Sequence, residues 1–202
     1  ANPGLGKSKS LEYMRAMARQ AARLPSALVN FLTKDLNVWC NSADGWFDIN
    51  IWDKGAAKFD PRTLRGRRCW GGLDLAATTD LTAYVLVFPP EEEGEAWHML
   101  CWAWCPQDKI ETAEKDDIAA YRAWQKAGWL IGTEGAVTDY TPVKATIRQT
   151  LQDFDVQEIG FDKWNSLHVI NDMQEELEKF IEIPQNTGGM YPGSKKLEEL
   201  VY

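Results

Sequence analysis

Two aspartates stand out by what precedes them. Asp74 closes the run Arg68-Cys-Trp-Gly-Gly-Leu-Asp, and Asp162 closes Val156-Gln-Glu-Ile-Gly-Phe-Asp. Both runs have strand character, and each aspartate follows a glycine two positions earlier, Gly72 or Gly160. Residues two apart on a strand share a face, so a glycine there leaves room beside the carboxylate for an ion or an approaching backbone. A carboxylate at the end of an otherwise apolar strand is costly unless it is paired or bound to metal. Two such groups together repel, and a divalent cation resolves that conflict. Paired ions about 3.5–4 Å apart activate water on one side of a phosphodiester and stabilise the leaving oxygen on the other. Mg2+, with Mn2+ as substitute, suits such a site because it takes few carboxylates plus waters and phosphate oxygens. The alternative is that Asp74 only caps the turn that follows it. Asp80 opens the second strand, where a hairpin would bring it back as an auxiliary ligand or leave it capping its own backbone.

The elements that must position these residues follow from pattern. Strands are expected at 68–75, 81–88 and 96–104, joined by the small turn 76–80 and by Pro-Pro-Glu-Glu-Glu-Gly, which makes an antiparallel meander. Segment 81–88 is apolar on both parities, as for a strand covered on both faces. A helix is expected over 112–127, with Ile118, Tyr121 and Trp124 on one face and Gly128 as its stop; a glycine-punctuated excursion over 129–137 follows. The next helix, 141–154, carries Val143, Ile147, Leu151 and Phe154 in a stripe, with Thr141 as N-cap and Pro142 at its first position. Strand 156–162 follows, then a helix capped by Asn165 that buries Ile170, Met173, Leu177 and Phe180, a strand at 180–184, and a helix from Ser194. Three antiparallel strands followed by helix-linked ones predict an α/β fold: a ribonuclease H-like, mixed five-stranded sheet flanked by helices. In that order the first strand is central and 156–162 lies parallel beside it. Both aspartates then sit at carboxyl ends of neighbouring strands, where open α/β sheets build their sites.

Residues 1–66 read as a connector: an amphipathic helix over 9–24, then an irregular, tryptophan-rich stretch. Residues 67–202 read as the sheet domain, incomplete at its carboxyl end. The stretch 54–68 holds Lys54, Lys58, Arg62, Arg65, Arg67 and Arg68 and reads as a solvated linker or a phosphate contact. The net charge of −8 argues against simple coating of duplex DNA, but not against a local grip by an enzyme that clusters carboxylates around metal. No 18-residue apolar run exists, so no membrane span is expected, and the four cysteines have no pairing pattern. His98, Cys101 and Cys105 suggest zinc, but a strand would hold the two cysteines about 13 Å apart, too far for one tetrahedral ion. The opening Ala1-to-Ser8 stretch matches a permissive phosphate-loop pattern without the preceding strand that such a loop needs.

The run from Cys69 to Ala83, the segments 102–106 and 121–140, and Ile159-Gly-Phe-Asp-Lys-Trp-Asn-Ser166 resemble the nuclease domain of bacteriophage terminase large subunits. Residues 1–10 and 31–39 resemble the segment joining that family's ATPase to its nuclease. The resemblance implies a metal-dependent endonuclease that cuts concatemeric viral DNA in the host bacterial cytoplasm. Its partners would be double-stranded DNA, the portal protein, the terminase small subunit and the ATPase domain of the same polypeptide. By the same resemblance Asp74 and Asp162 match the first two metal-binding, catalytic carboxylates, and Asp80 matches an acidic position in the same hairpin. The family's third carboxylate comes from a later helix, and Glu198 and Glu199 read as surface charges, so weak cleavage by this chain is expected. The rival reading is a non-catalytic packaging or docking module that keeps the fold for contacts with portal, small subunit or DNA. Another ribonuclease H-like nuclease, a resolvase or integrase, fits the connector less well.

Overall fold

The computed structural model describes residues 9–22, 25–36, 48–76, 78–112, 115–163 and 169–202. The phosphate-loop-like opening, Cys40 and the Asn165 cap lie outside them, as do the side chains of Ile118 and Leu177. The chain forms two compact units, one of residues 1–58 with 194–202 and one of residues 59–193.

In the first unit, α1 (Leu11–Ala21) begins where the Ser10 hydroxyl accepts a hydrogen bond from the Tyr13 amide at 3.1 Å, satisfying an amide the helix leaves orphaned. A short helix, α2 (Pro25–Asn30), runs into a π-helical turn over Phe31–Asp35. Asp35 is buried there and is ion-paired to Lys9, whose ammonium also donates to the Lys34 carbonyl at 3.0 Å. Further along this unit come a short helix, α3 (Ile49–Trp52), and a 3-10 turn over Asp53–Gly55.

The second unit is built on a six-stranded sheet in the order β4-β3-β2-β1-β5-β6. Its strands are β1 (Arg68–Asp74), β2 (Thr82–Phe88), β3 (His98–Pro106), β4 (Ile131–Thr133), β5 (Asp155–Phe161) and β6 (Phe180–Glu182). β1, β2 and β3 form the expected antiparallel meander, and β4, β5 and β6 each join in parallel. This is the ribonuclease H-like order, with one strand more than the pattern predicts. The addition is β4, three residues inside the glycine-punctuated excursion, too short to show a period of two.

The core lies on one face of the sheet. Leu73 of β1, Tyr84, Leu86 and Phe88 of β2, Trp104 of β3, and Val156, Ile159 and Phe161 of β5 are buried there. α6 (Thr141–Asp153) covers them with Val143 and Ile147. Tyr84 stacks on Trp102 at 5.5 Å and bonds the Thr150 hydroxyl at 3.0 Å, and Thr150 donates in turn to the Ile147 carbonyl, so the buried phenol is satisfied. β2 is not covered equally on both sides. Thr82, Tyr84, Leu86 and Phe88 are buried, whereas Ala83, Val85 and Val87 are half-buried. Leu64 belongs to this core, and the Gly66 amide donates to the Asp153 carbonyl at 2.8 Å, so residues 59–66 fold with the sheet.

Several boundaries differ from expectation for local reasons. The expected helix over 112–127 is α5 (Lys115–Lys126), and a helix that the pattern does not predict, α4 (Gln107–Thr112), precedes it; Gly128 at φ 79° closes α5 in the left-handed region glycine tolerates. The N-cap of α6 is Tyr140 rather than Thr141; the Asp139 carboxylate accepts from the Thr141 amide at 2.8 Å and does the capping from one residue further out. After the buried Val169, Ile170 and Met173, a 3-10 segment over Gln174–Lys179 leads into β6. The last helix, α7, spans Thr187–Val201 and starts earlier than Ser194. Asn186 starts it, its side chain accepting from the Gly189 amide at 2.9 Å, so the glycines and Pro192 that read as breakers sit inside the helix.

The arginines of the basic stretch are all drawn to carboxylates. Arg62 bonds Asp60 at 2.7 Å, Arg65 lies 3.5 Å from Asp153, and Arg68 lies 4.0 Å from Asp155. Arg67 is the most enclosed, clamping Glu95 and the Pro89 carbonyl, the latter at 2.9 Å, with Glu91 3.5 Å away. The clamp ties the start of β1 to the β2–β3 turn.

Two outcomes follow from these contacts. The Arg67 guanidinium pulls the Glu95 carboxyl down to about 2 from its ordinary 4.5, so the pair's stabilisation is complete above that ordinary value and is lost as pH falls towards 2. Glu95→Gln is expected to lower stability at neutral pH and to flatten the acid limb of a stability–pH profile measured by urea denaturation. A Cβ on Gly189 would lie 2.1 Å from the Pro184 carbonyl oxygen, a backbone atom that cannot swing aside. Gly189→Ala is therefore expected to cost roughly 1–3 kcal/mol, read as a fall in melting temperature.

Candidate active site

The site is set by how β1 and β5 align. Gly72 pairs with Gly160 and Leu73 with Phe161 across the parallel ladder, so the next residues along, Asp74 and Asp162, emerge side by side at the carboxyl ends of the two strands. Neighbouring strands run about 4.8 Å apart, which places two like charges at close quarters. Alternation sends Cys69 and Leu73 into the core and leaves Trp70, Gly72 and Asp74 on the other face. The registers extend that face across the sheet as the row Cys101, Val85, Gly72, Gly160 and Ile181. A groove of about 450 Å³ follows it, lined by Trp70, Gly72, Asp74, Val85, Gly160 and Ile181 among others.

The two glycines serve different ends. A Cβ on Gly160 would meet Ile183 Cγ1 at 2.8 Å, so its bareness lets the chain after β6 pack close. A Cβ on Gly72 would meet nothing within 4 Å, so there the missing side chain keeps the floor beside Asp74 low.

Electrostatics mark Asp74 as the centre of the group. Its carboxyl titrates above the ordinary aspartate range, first because burial against the sheet disfavours its charge, then because Asp162 and Asp80 repel it. Asp80 stands on the exposed turn and accepts from the Leu81 amide at 2.8 Å. It thus caps its own backbone, as one reading expects, while its charge also reaches Asp74 and the buried thiol of Cys105. Next to Asp162, the Lys163 ammonium pairs with Glu182 at 3.1 Å.

The hairpin between Asp74 and Asp80 is held from within and from outside. Inside it, the Ala76 amide donates to the buried Thr82 hydroxyl at 3.1 Å. From outside, the Tyr140 hydroxyl donates to the Ala76 carbonyl, and Thr138 donates to the Thr78 carbonyl twice, from its amide at 2.9 Å and its hydroxyl at 3.1 Å. Sequence reasoning passes over Thr138 and Tyr140 because they lie in an aperiodic stretch and act through contacts 60 and 64 positions away. The one local signal is the Thr-Asp-Tyr-Thr-Pro string, whose Asp and Pro mark a helix entry.

Asp74 and Asp162, with the charge of Asp80 in reach, are an oxygen-only, anionic donor set of the kind hard divalent cations take. Their mutual repulsion is what a cation would relieve. Among the described residues no cluster of three or more His, Cys, Asp or Glu side chains is assembled to hold a metal, so the set is a lean one.

Comparison with known proteins bears on the family and the fold. The family model of the terminase large subunit, endonuclease domain, matches residues 1–202. The terminase large subunit of Enterobacteria phage HK97 is 34% identical over 164 residues, which are 81% of this chain and 32% of that protein. Protein YmfN of Escherichia coli K12 is 26% identical over 210 residues, covering 100% of this chain and 46% of that one. The crystal structure of the HK97 large terminase superposes with a TM-score of 0.66 at 30% identity, covering all of this chain and 41% of that one. The chain thus spans between about a third and a half of the length of the relatives it matches. Matched by the family model along its whole length and by a solved terminase in fold, the chain belongs to the terminase large subunit endonuclease domain family.

Proposed function

We propose that this chain is the DNA-cutting module of a phage packaging terminase, hydrolysing phosphodiester bonds of double-stranded DNA with Asp74 and Asp162 as metal-holding, catalytic carboxylates. The observation that carries this reading is the register that sets the two aspartates side by side above a low, glycine-floored groove. Asp80 adds negative charge from the hairpin and serves as an auxiliary ligand. Mg2+, or Mn2+ in its place, would supply positive charge to the scissile phosphate and acidify an attacking water when bound. The protein's own part is to keep the carboxylates adjacent, to leave the backbone of a DNA strand room over Gly72, and to hold the β1–β2 hairpin still. With two strong ligands and one auxiliary, metal affinity and cleavage by these 202 residues are expected to be weak.

The wider setting is proposed from kinship: a DNA-packaging motor in the host bacterial cytoplasm, with portal protein, terminase small subunit and an ATPase domain of the same polypeptide as partners. In support, the HK97 relative is itself a terminase large subunit, and no helix among the described residues is long and apolar enough to cross a membrane. A second reading, a non-catalytic docking module, draws on the exposure of Trp70 and Met99 on the sheet face that carries Asp74.

Plasmid nicking in Mn2+ separates the two. The endonuclease reading expects slow nicking that Asp74→Asn or Asp162→Asn abolishes, a loss beyond the roughly 10–100-fold typical of outer-sphere changes. Nicking that persists in both variants at the wild-type rate would leave the docking reading standing.

The raised titration of Asp74 makes a separate prediction. Because the fold disfavours its charged form, its contribution to metal-free stability falls as pH rises from the ordinary aspartate value of 3.8 through the higher folded value. Asp74→Asn, uncharged at every pH, should therefore raise the melting temperature of the metal-free protein at neutral pH. Excess Mn2+ should narrow the gap by stabilising the wild type alone.

A further inference from the structure

Building on the metal-dependent reading of Asp74 and Asp80, we propose that Thr138 and Tyr140 are positioning residues: a latch that holds the β1–β2 hairpin so that its two carboxylates stay together at the metal site. The hairpin needs such a restraint. Asp74 and Asp80 stand at its two ends and Asp162 on the neighbouring strand, so three like charges press on a short turn that projects beyond the sheet ladder.

The latch reaches the turn at two carbonyls between those charges. Tyr140 donates to the Ala76 carbonyl, and Thr138 donates through both amide and hydroxyl to the Thr78 carbonyl, at 2.9 and 3.1 Å. Thr138 is buried, so its bonds are shielded from competing water. The latch is itself anchored on both sides. The Asp139 amide donates to the hydroxyl of buried Thr133 at the end of β4, at 3.4 Å, and the Asp139 carboxylate accepts from the Thr141 amide at the start of α6. α6 in turn is locked into the core by Val143 and Ile147. Force on the hairpin is thus carried through Thr138, Asp139 and Tyr140 to a helix anchored in the core. None of these three residues need touch metal or DNA to act. Groups that orient metal ligands from outside typically change affinity about 10–100-fold when lost.

The test uses the whole 202-residue chain, with Thr138→Val, Tyr140→Phe, their double variant, and Thr138→Ser as the conservative control. Two quantities are read: amide hydrogen exchange of residues 76–81 without metal, and the Mn2+ concentration giving half-maximal thermal stabilisation. The double variant is expected to speed exchange of the turn amides and to raise the Mn2+ midpoint by about tenfold or more. Its metal-free melting temperature should move little, and Thr138→Ser should behave as wild type. A normal Mn2+ response in the wild type, lost in Asp74→Asn but unchanged in the double variant, would overturn the latch alone. Absence of any Mn2+ response in the wild type would overturn the metal reading and the latch with it. A double variant that loses melting temperature with an unshifted midpoint would make these residues merely structural, and that too would overturn the proposal.

Discussion

Everything at the site hangs on one parallel pairing, that of β1 with β5. Cys69 lies opposite Val156, but two positions later Gly71 lies opposite Ile159, so the ladder shifts register between them. Because side chains alternate with a period of two, a slip of one residue would turn either aspartate to the other face. The shift is therefore what brings Gly72 beside Gly160 and the two carboxylates to the same edge. The apolar pattern holds the result in place, since Leu73, Val156, Ile159 and Phe161 are buried only in this alignment.

Such a pairing concentrates negative charge at one edge of a sheet, and the rest of the unit works to contain it. The core and α6 lie beneath the strands that carry the aspartates. At the opposite edge the Arg67 clamp fixes the entry to β1, binding Glu95 and the Pro89 carbonyl across the β2–β3 turn. The same clamp, with the pairs from Arg62, Arg65 and Arg68, shows where the arginines of the basic stretch go. They balance local carboxylates of the fold, which leaves less of their charge to meet phosphate. On the proposed endonuclease reading, affinity for DNA in a protein of net charge −8 would then have to come from elsewhere, and cations held between carboxylates at the site would be one source.

The legibility of the elements tracks their length and burial. β1, β2, β3 and α6 were readable because each runs for seven residues or more of consistent character between turn signals. β4 was not, because three residues cannot display alternation and its glycine suppresses the propensity signal. The start of α7 was misplaced because Gly188, Gly189 and Pro192 are read as breakers, while the capping carboxamide of Asn186 and the packing against Pro184 decide otherwise. The expectation that β2 is covered on both faces failed more instructively. Val85 and Val87 are apolar enough to be core, yet both are half-buried, and Val85 lines the groove that carries Asp74. Hydrophobicity reports what a residue tolerates, not what is packed against it.

By itself the sequence determined the order of the longer strands and helices, the central place of β1, and the identity of Asp74 and Asp162 as strand-end carboxylates, since these follow from local periodicity and from the topological rules that link it to a sheet. Only the tertiary structure decided the register between β1 and β5, the engagement of the basic stretch by carboxylates, and the attachment of the β1–β2 hairpin to Thr138 and Tyr140. Each of those depends on contacts between residues far apart in the chain. Such contacts arise from shape and hydrogen-bond geometry once the layers have packed, and no local pattern of residue types encodes them.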